Sequence, residues 1–224
     1  MPVTELVIAS IKPPHQLPSE STASNNPFAT ALKSLRDVQP TLSGFPVYLF
    51  TSIEREQDRS DSPTNVFILA GWSSPSAHYT SISTPAHQAI VSPLLKFLEL
   101  ESMVHVGVDF EAMKNALHGV FELNGEKEPS TVRNLTELHS DDVFLVISKG
   151  TTVVREDTSV ASKLKWNAHG PNLDQEAENP NSSGRDVYHI AMYHGFDRNN
   201  LLEKIDVGGA EGKRDVWVMK PLEI

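Results

Sequence analysis

The amino-acid sequence predicts an α+β protein made of two tandem ferredoxin-like units with antiparallel sheets. Three observations lead there. Residues 1–112 alternate β-type runs with helical periodicity in the order β-α-β-β-α-β, the ferredoxin-like order. Residues 113–224 carry four further β-type runs. The two stretches are equal in length, so one chain can supply both units.

Taken in order, Val3 to Ile11 is a β-type run closed by Lys12-Pro13-Pro14. Asn26-Pro27 then opens a helix. Phe28, Leu32, Leu35 and Val38 recur in it at helical spacing, and Pro40 is expected to end it. Phe45–Glu54 and Asn65–Trp72 read as strands, with the charged run EREQDRSDSPT as an exposed connection. Ser73 to Leu100 is the main helical region. It has starts at Ser74-Pro75 and Thr84-Pro85, each with proline in the first turn, and a kink or restart at Pro93. Met103–Phe110 is the fourth strand.

In the second half, strands are expected at Gly119–Leu123, Asp142–Ser148, Asp186–His194 and Asp215–Lys220. Weaker helices fall near Ser130–Leu138, Ser159–Trp166 and Arg198–Ile205. Asn167 to Gly184 has almost no apolar content and reads as a loop. Asp-Val-aromatic opens three of the strands, at Asp142, Asp186 and Asp215.

Composition narrows the function classes. Apolar residues make up 39% and charged residues 21% of the 224, which supports a buried core. The net charge of −10 argues against nucleic acid or an anionic membrane as partner, because phosphates would be repelled. The chain has no cysteine, so disulfides, thiolate metal sites and a cysteine nucleophile are excluded. No run approaches the roughly 20 apolar residues that span a bilayer. The N-terminus has no basic region before its apolar run, so it reads as a strand and not a signal peptide. A cytoplasmic location is the expectation, with the sequons at Asn134 and Asn181 unused.

Candidate chemistry centres on histidine. On strand Met103–Phe110, Val104, Val106, Val108 and Phe110 share one face, and His105, Gly107 and Asp109 share the other. His105 and Asp109 stand about 13 Å apart along that face, too far for a hydrogen-bonded pair. A second cluster runs from Trp72 through His78 and Tyr79 to His87. A histidine at a helix N-terminus is kept neutral by the helix dipole and can act as a base near physiological pH. Packing or capping by these histidines is the competing reading. In the second half His189 and Tyr193 share one strand face and Tyr188 and His194 the other. There is no HxH, HExxH, Walker, GxGxxG or GxSxG pattern, so neither a metal nor a cofactor is expected. Gly208-Gly209-Ala210-Glu211-Gly212 reads as a turn.

The run NVFILAGWSSPSAHYTSISTPAHQ, a strand ending in Trp followed by a His-bearing helix, resembles the antibiotic-biosynthesis-monooxygenase group of dimeric α+β barrel proteins. So do the β-α-β order before it and the strand MVHVGVDF after it. The resemblance covers about residues 3–112. It implies two ferredoxin-like units paired into a barrel with a ligand cavity, fused here in one polypeptide as a monomer or a homodimer. Members commonly transform aromatic or polyketide-like molecules without metal or organic cofactor. Val3–Ile11 contains no Asn, so the Asn–Trp–His set of the haem-degrading branch is incomplete.

Together these readings predict a cofactor-independent enzyme acting on an apolar small molecule. His78 and His105 would move a proton, with Asp109 tuning a histidine. Trp72, Tyr48, Phe50, His87 and Tyr79 would line the substrate cavity. The reaction would be an oxygenation, isomerisation, dehydration or cyclisation. A non-catalytic ligand-binding or stress-associated barrel is the alternative.

Overall fold

The computed structural model describes residues 1–18, 26–53, 64–121, 143–150, 164–178, 186–194 and 215–222. Eight strands, β1 (Val3–Ile11), β2 (Val47–Ser52), β3 (Asn65–Trp72), β4 (Leu98–Asp109), β5 (Val143–Gly150), β6 (Leu164–Pro171), β7 (Val187–His194) and β8 (Asp215–Pro221), pair antiparallel into one sheet. Their order is β4-β1-β3-β2-β8-β5-β7-β6. Within the first half this is fourth-first-third-second, and the second half repeats the same order. The halves join where β2 meets β8 through Phe50↔Pro221, Thr51↔Lys220 and Ser52↔Met219.

The sheet curls until its edge strands meet. Val106 of β4 bridges Asn172, just beyond β6. A Cβ built on Gly170 would lie 2.5 Å from the carbonyl carbon and oxygen of Gly107. Only glycine lets the two backbones approach this closely at the seam.

The two faces of the curled sheet hold different cores. Leu6, Ile8, Tyr48, Phe50, Phe67 and Leu69 turn inward and pack with Val106, Val108 and Phe110 and with residues of β5, β7 and β8. The outward residues of β1–β3, among them Ala9, Leu49, Val66, Ile68 and Ala70, pack under α1 (Pro27–Ser43) and α3 (Pro85–Leu94). α2 (Pro75–Ile82) touches both of these helices. α4 (Phe110–Phe121) and α5 (Leu173–Glu178) complete the helices among the described residues.

Helix starts follow from the caps. The Asn26, Ser74 and Thr84 side chains accept backbone N–H groups of α1, α2 and α3, with proline at the first helical position each time. α1 runs past Pro40 to Ser43, against the expectation that the proline ends it. Gly44, at φ 80°, then closes the helix by donating its N–H to the Pro40 carbonyl.

Several expectations are corrected, most of them in the second half. Gly119–Phe121 lie in α4 and not in a strand, because Phe110, Met113 and Leu117 recur at helical spacing against the core. Leu98–Leu100 belong to β4 and not to the preceding helix. Leu164–Trp166 are strand, and the stretch from Asn167 contains the rest of β6 and α5. β6 alternates half-buried Leu164, Trp166 and Ala168 with exposed Lys165, Asn167 and His169, a period-two signal in a polar setting. The helices expected at Ser130–Leu138 and Arg198–Ile205, and the turn at Gly208–Gly212, lie outside the described residues. No described helix is long and apolar enough to cross a membrane.

Candidate functional site

A line of polar side chains crosses the layer between the outer face of β1, β3 and β4 and the helices α2 and α5. It begins at Glu5, an outward position on β1 paired across the ladder with His105 of β4 and Ala70 of β3. Glu5 is 5% exposed. Its Oε2 accepts a 2.6 Å hydrogen bond from the Trp72 indole, and Gln39 of α1 also bonds to it. Burial pushes the Glu5 carboxyl up to about 7, the Trp72 and Gln39 hydrogen bonds opposing and the Asp174 charge adding.

His78 follows. Serine capping and Pro75 start α2 so that His78 turns inward while its neighbour Tyr79, a further 100° around, faces out. The His78 ring stacks on Trp72 at 4.5 Å between centroids, and its Nε2 lies 3.5 Å from Glu5 Oε1. Burial, then the neighbouring His105 and His87, hold His78 down at about 3, so it is neutral across the physiological range. Its Nδ1 sits 2.9 Å from His105 Nε2. His105, fully buried, places its Nδ1 2.9 Å from Asp174 Oδ1.

Asp174 ends the line at the surface. Its Oδ2 accepts the His105 backbone N–H at 2.7 Å, a donor on the edge strand that no ladder partner uses, and its Oδ1 accepts the Tyr79 hydroxyl at 2.8 Å. Burial opposes ionisation here, but the hydrogen bonds from His105 and Tyr79 outweigh it and hold the carboxyl below its ordinary value. The short helix that carries Asp174 is fixed on both sides. Asn172 Oδ1 accepts the Asp174 and Gln175 N–H groups, and the Gln175 amide pairs both ways with Asp186.

An open groove of 760 Å³ lies over this end. Pro75, Ser76, Tyr79 and Thr80 of α2 form one wall, and Leu173, Asp174 and Ala177 of α5 the other. The described residues that line it offer apolar faces, hydroxyl groups and one carboxylate, which suits a molecule with apolar faces and hydroxyl or carbonyl groups. Among the described residues no group of three or more His, Cys, Asp or Glu is arranged to hold a metal ion.

The residues singled out from the sequence divide. Trp72, His78, Tyr79 and His105 do come together, with His87 behind them. His87 is buried, tilted against Trp72 and His78, and its Nδ1 lies 3.2 Å from Ser81 Oγ, away from the groove. Burial holds it below its ordinary pKa. Tyr48 and Phe50 do not join them. They point to the inner face of the sheet, where Tyr48 packs on Phe110, so Trp72 and Tyr48 cannot hold one ligand. Asp109 does not reach a histidine in this structure; its carboxylate accepts the Glu111 N–H at the start of α4. His189 and Tyr193 face outward and Tyr188 inward on β7, which β6 separates from β4.

Two residues were missed. Glu5 was legible as a carboxylate on the helix-facing side of an otherwise apolar strand. Asp174 carried no signal, because it lies in the polar stretch read as a loop.

No family model matches the chain, and no curated protein matches it in sequence. Solved structures with a similar course include a provisionally assigned monooxygenase from Fusobacterium nucleatum subsp. nucleatum, at 10% identity over 99% of this chain and 93% of that one, TM-score 0.49. Another is a provisionally assigned monooxygenase from Lactobacillus acidophilus, at 11% identity over 99% and 94%, TM-score 0.44. A third is the encapsulated DyP-type peroxidase of Mycobacterium smegmatis, at 8% identity over 98% and 93%, TM-score 0.47. Likeness of this degree leaves chemistry to be argued from the chain's own residues.

Proposed function

We propose that the chain is a cofactor-independent small-molecule enzyme of the antibiotic-biosynthesis-monooxygenase-like kind, with residues 1–112 and 113–224 as successive units of one fused barrel. Its substrate is an aromatic or polyketide-like molecule, and its reaction turns on proton transfer in the groove between α2 and α5. One observation carries this reading: a single carboxylate, Asp174, holds both the groove-facing Tyr79 hydroxyl and the His105 ring while itself lining the groove.

The chemistry follows from that arrangement. An ionised carboxylate held below its ordinary pKa accepts only an acidic proton, such as one on a carbon between two carbonyls or on a phenol. Tyr79 orients the oxygen of such a ligand, and its exposed ring offers a stacking face. Isomerisation, dehydration and cyclisation of polyketide-like molecules all begin or end with such a transfer.

The test is solvent exchange. The full chain is incubated in deuterated water with 1,3-dicarbonyl and phenolic polyketide-like compounds, and deuterium uptake at carbon is read by mass spectrometry. The native chain accelerates uptake in at least one compound, and Asp174→Asn lowers the rate about a hundredfold or more. A native chain that accelerates none, or an Asp174→Asn chain as fast as the native one, overturns the reading.

A further inference from the structure

We propose that Glu5, His78, His105 and Asp174 form a proton relay that joins a carboxyl buried beneath the helices to the groove. This rests on the groove being the reacting site, and it assigns work to Glu5 and His78, which touch no ligand there. The geometry is a continuous line: Glu5 Oε1 to His78 Nε2 at 3.5 Å, His78 Nδ1 to His105 Nε2 at 2.9 Å, and His105 Nδ1 to Asp174 Oδ1 at 2.9 Å.

One assignment of hydrogens satisfies every link. The ionised Asp174 requires the hydrogen of His105 to sit on Nδ1, which leaves Nε2 as an acceptor. His78 therefore donates from Nδ1, and its Nε2 lone pair faces Glu5. A protonated Glu5 supplies the hydrogen that this lone pair lacks, while its other oxygen accepts from the Trp72 indole. The line is then a directed chain of donors running from Glu5 outward.

Transfer along it balances. The Glu5 proton passes to His78 Nε2, the His78 Nδ1 proton to His105 Nε2, and the His105 Nδ1 proton to Asp174. Glu5 is left as a carboxylate and Asp174 as a neutral acid able to protonate a ligand. Both imidazoles end neutral in the opposite tautomer. Reprotonation of Asp174 from solvent or product drives the same steps inward and restores the starting state. The 3.5 Å link must contract to hydrogen-bonding range for the first step, so it is the natural gate.

The groups around Glu5 suit it as the inner end. It meets Trp72 from β3, His105 from β4, Gln39 from α1 and His78 from α2, with His87 of α3 behind His78 and Asp174 of α5 at the far end. None of these described neighbours is a lysine or arginine, so none of them sets a fixed cation against the mobile proton. Burial keeps Glu5 protonated up to about pH 7, which leaves the relay loaded under neutral conditions.

Infrared spectroscopy of the full chain tests this with no ligand present. Below pH 7 a protonated-carboxyl stretch is expected that Glu5→Gln removes. On rapid mixing into deuterated water this band shifts quickly in the native chain. In His105→Phe it shifts about tenfold or more slowly, because opening of the helix layer is then the remaining route for solvent. Asp174→Asn, altered at the solvent end where folding is least at risk, slows the shift likewise. Near-ultraviolet circular dichroism checks that each variant keeps native packing. Absence of a Glu5 band in the native chain, or equal exchange rates in the native chain and Asp174→Asn, overturns the relay. The measurement needs no substrate, so its failure leaves the groove reaction standing, and an inactive groove leaves this result readable.

Discussion

Replacing Glu5 by Gln keeps the shape and the acceptor for the Trp72 indole but removes a titration, so it isolates how Glu5 couples folding to pH. In the folded chain Glu5 titrates at about 7 against an ordinary 4.5. The folded state therefore holds a proton that the unfolded state releases, and the stability Glu5 contributes is lost as pH rises from 4.5 to 7. The gap of 2.5 pH units, at 1.36 kcal/mol each, corresponds to about 3 kcal/mol. His78 has the opposite sign. Its folded pKa of about 3, against 6.5, means that stability is gained as pH rises across that window. From pH 4.5 to 6.5 the folded pair and the unfolded pair each hold one proton, so these two contributions cancel in the native chain. Glu5→Gln unmasks the His78 slope. Thermal unfolding of both chains from pH 4.5 to 8 should show the variant gaining on the native chain by about 3 kcal/mol, or roughly 6–12 °C in Tm for a chain of this size. Parallel Tm curves across this range would refute the reasoning.

Other expectations follow from single contacts. Gly170→Ala places a methyl 2.5 Å from the Gly107 carbonyl and forces the β4–β6 seam apart; equilibrium urea unfolding should show a loss of about 1–3 kcal/mol. Asn172→Ala removes the side chain that accepts the Asp174 and Gln175 N–H groups. It should lower stability by about 1 kcal/mol and speed amide hydrogen exchange at His105, whose N–H Asp174 accepts. Trp72→Phe deletes the hydrogen bond that lowers the Glu5 pKa, so infrared titration should move the Glu5 midpoint upward, and a downward movement would contradict the assignment. Leu32→Ala empties a fully buried position on the core-facing side of α1 and should cost about 2–5 kcal/mol in the same urea assay.

The parts of the fold that were legible from sequence are those whose signal is local. Asn26-Pro27, Ser74-Pro75 and Thr84-Pro85 each pair a capping oxygen with a proline that fits the first turn, and all three helices start there. β3 was readable because its residues are nearly all buried, so apolar content alone marks it. β6 and α5 were not, because an edge strand and a short exposed helix need few apolar residues. α4 is not legible in this way although Phe110, Met113 and Leu117 recur at helical spacing, since Phe110 reads as the end of one strand and Gly119–Leu123 as another.

The candidate site divides in the same way. Trp72, His78 and Tyr79 are near neighbours in sequence, so a strand-to-helix corner gathers them by local geometry. Glu5, His105 and Asp174 are brought to them only by pairing of β1 with β4 and by the curling of the sheet that lays α5 on the edge of β4. Which face each residue takes is a matter of register, and register placed Tyr48 and Phe50 on the far side of the sheet from Trp72. By itself the sequence determined the order of strands and helices from β1 to β4, the caps, the acidic charge and the supply of histidines, because each is a property of neighbouring residues. Only the tertiary structure decided that a buried glutamate, two histidines and an aspartate stand in one line. Asp174 meets His105 across 69 residues of chain, and nothing local encodes that contact.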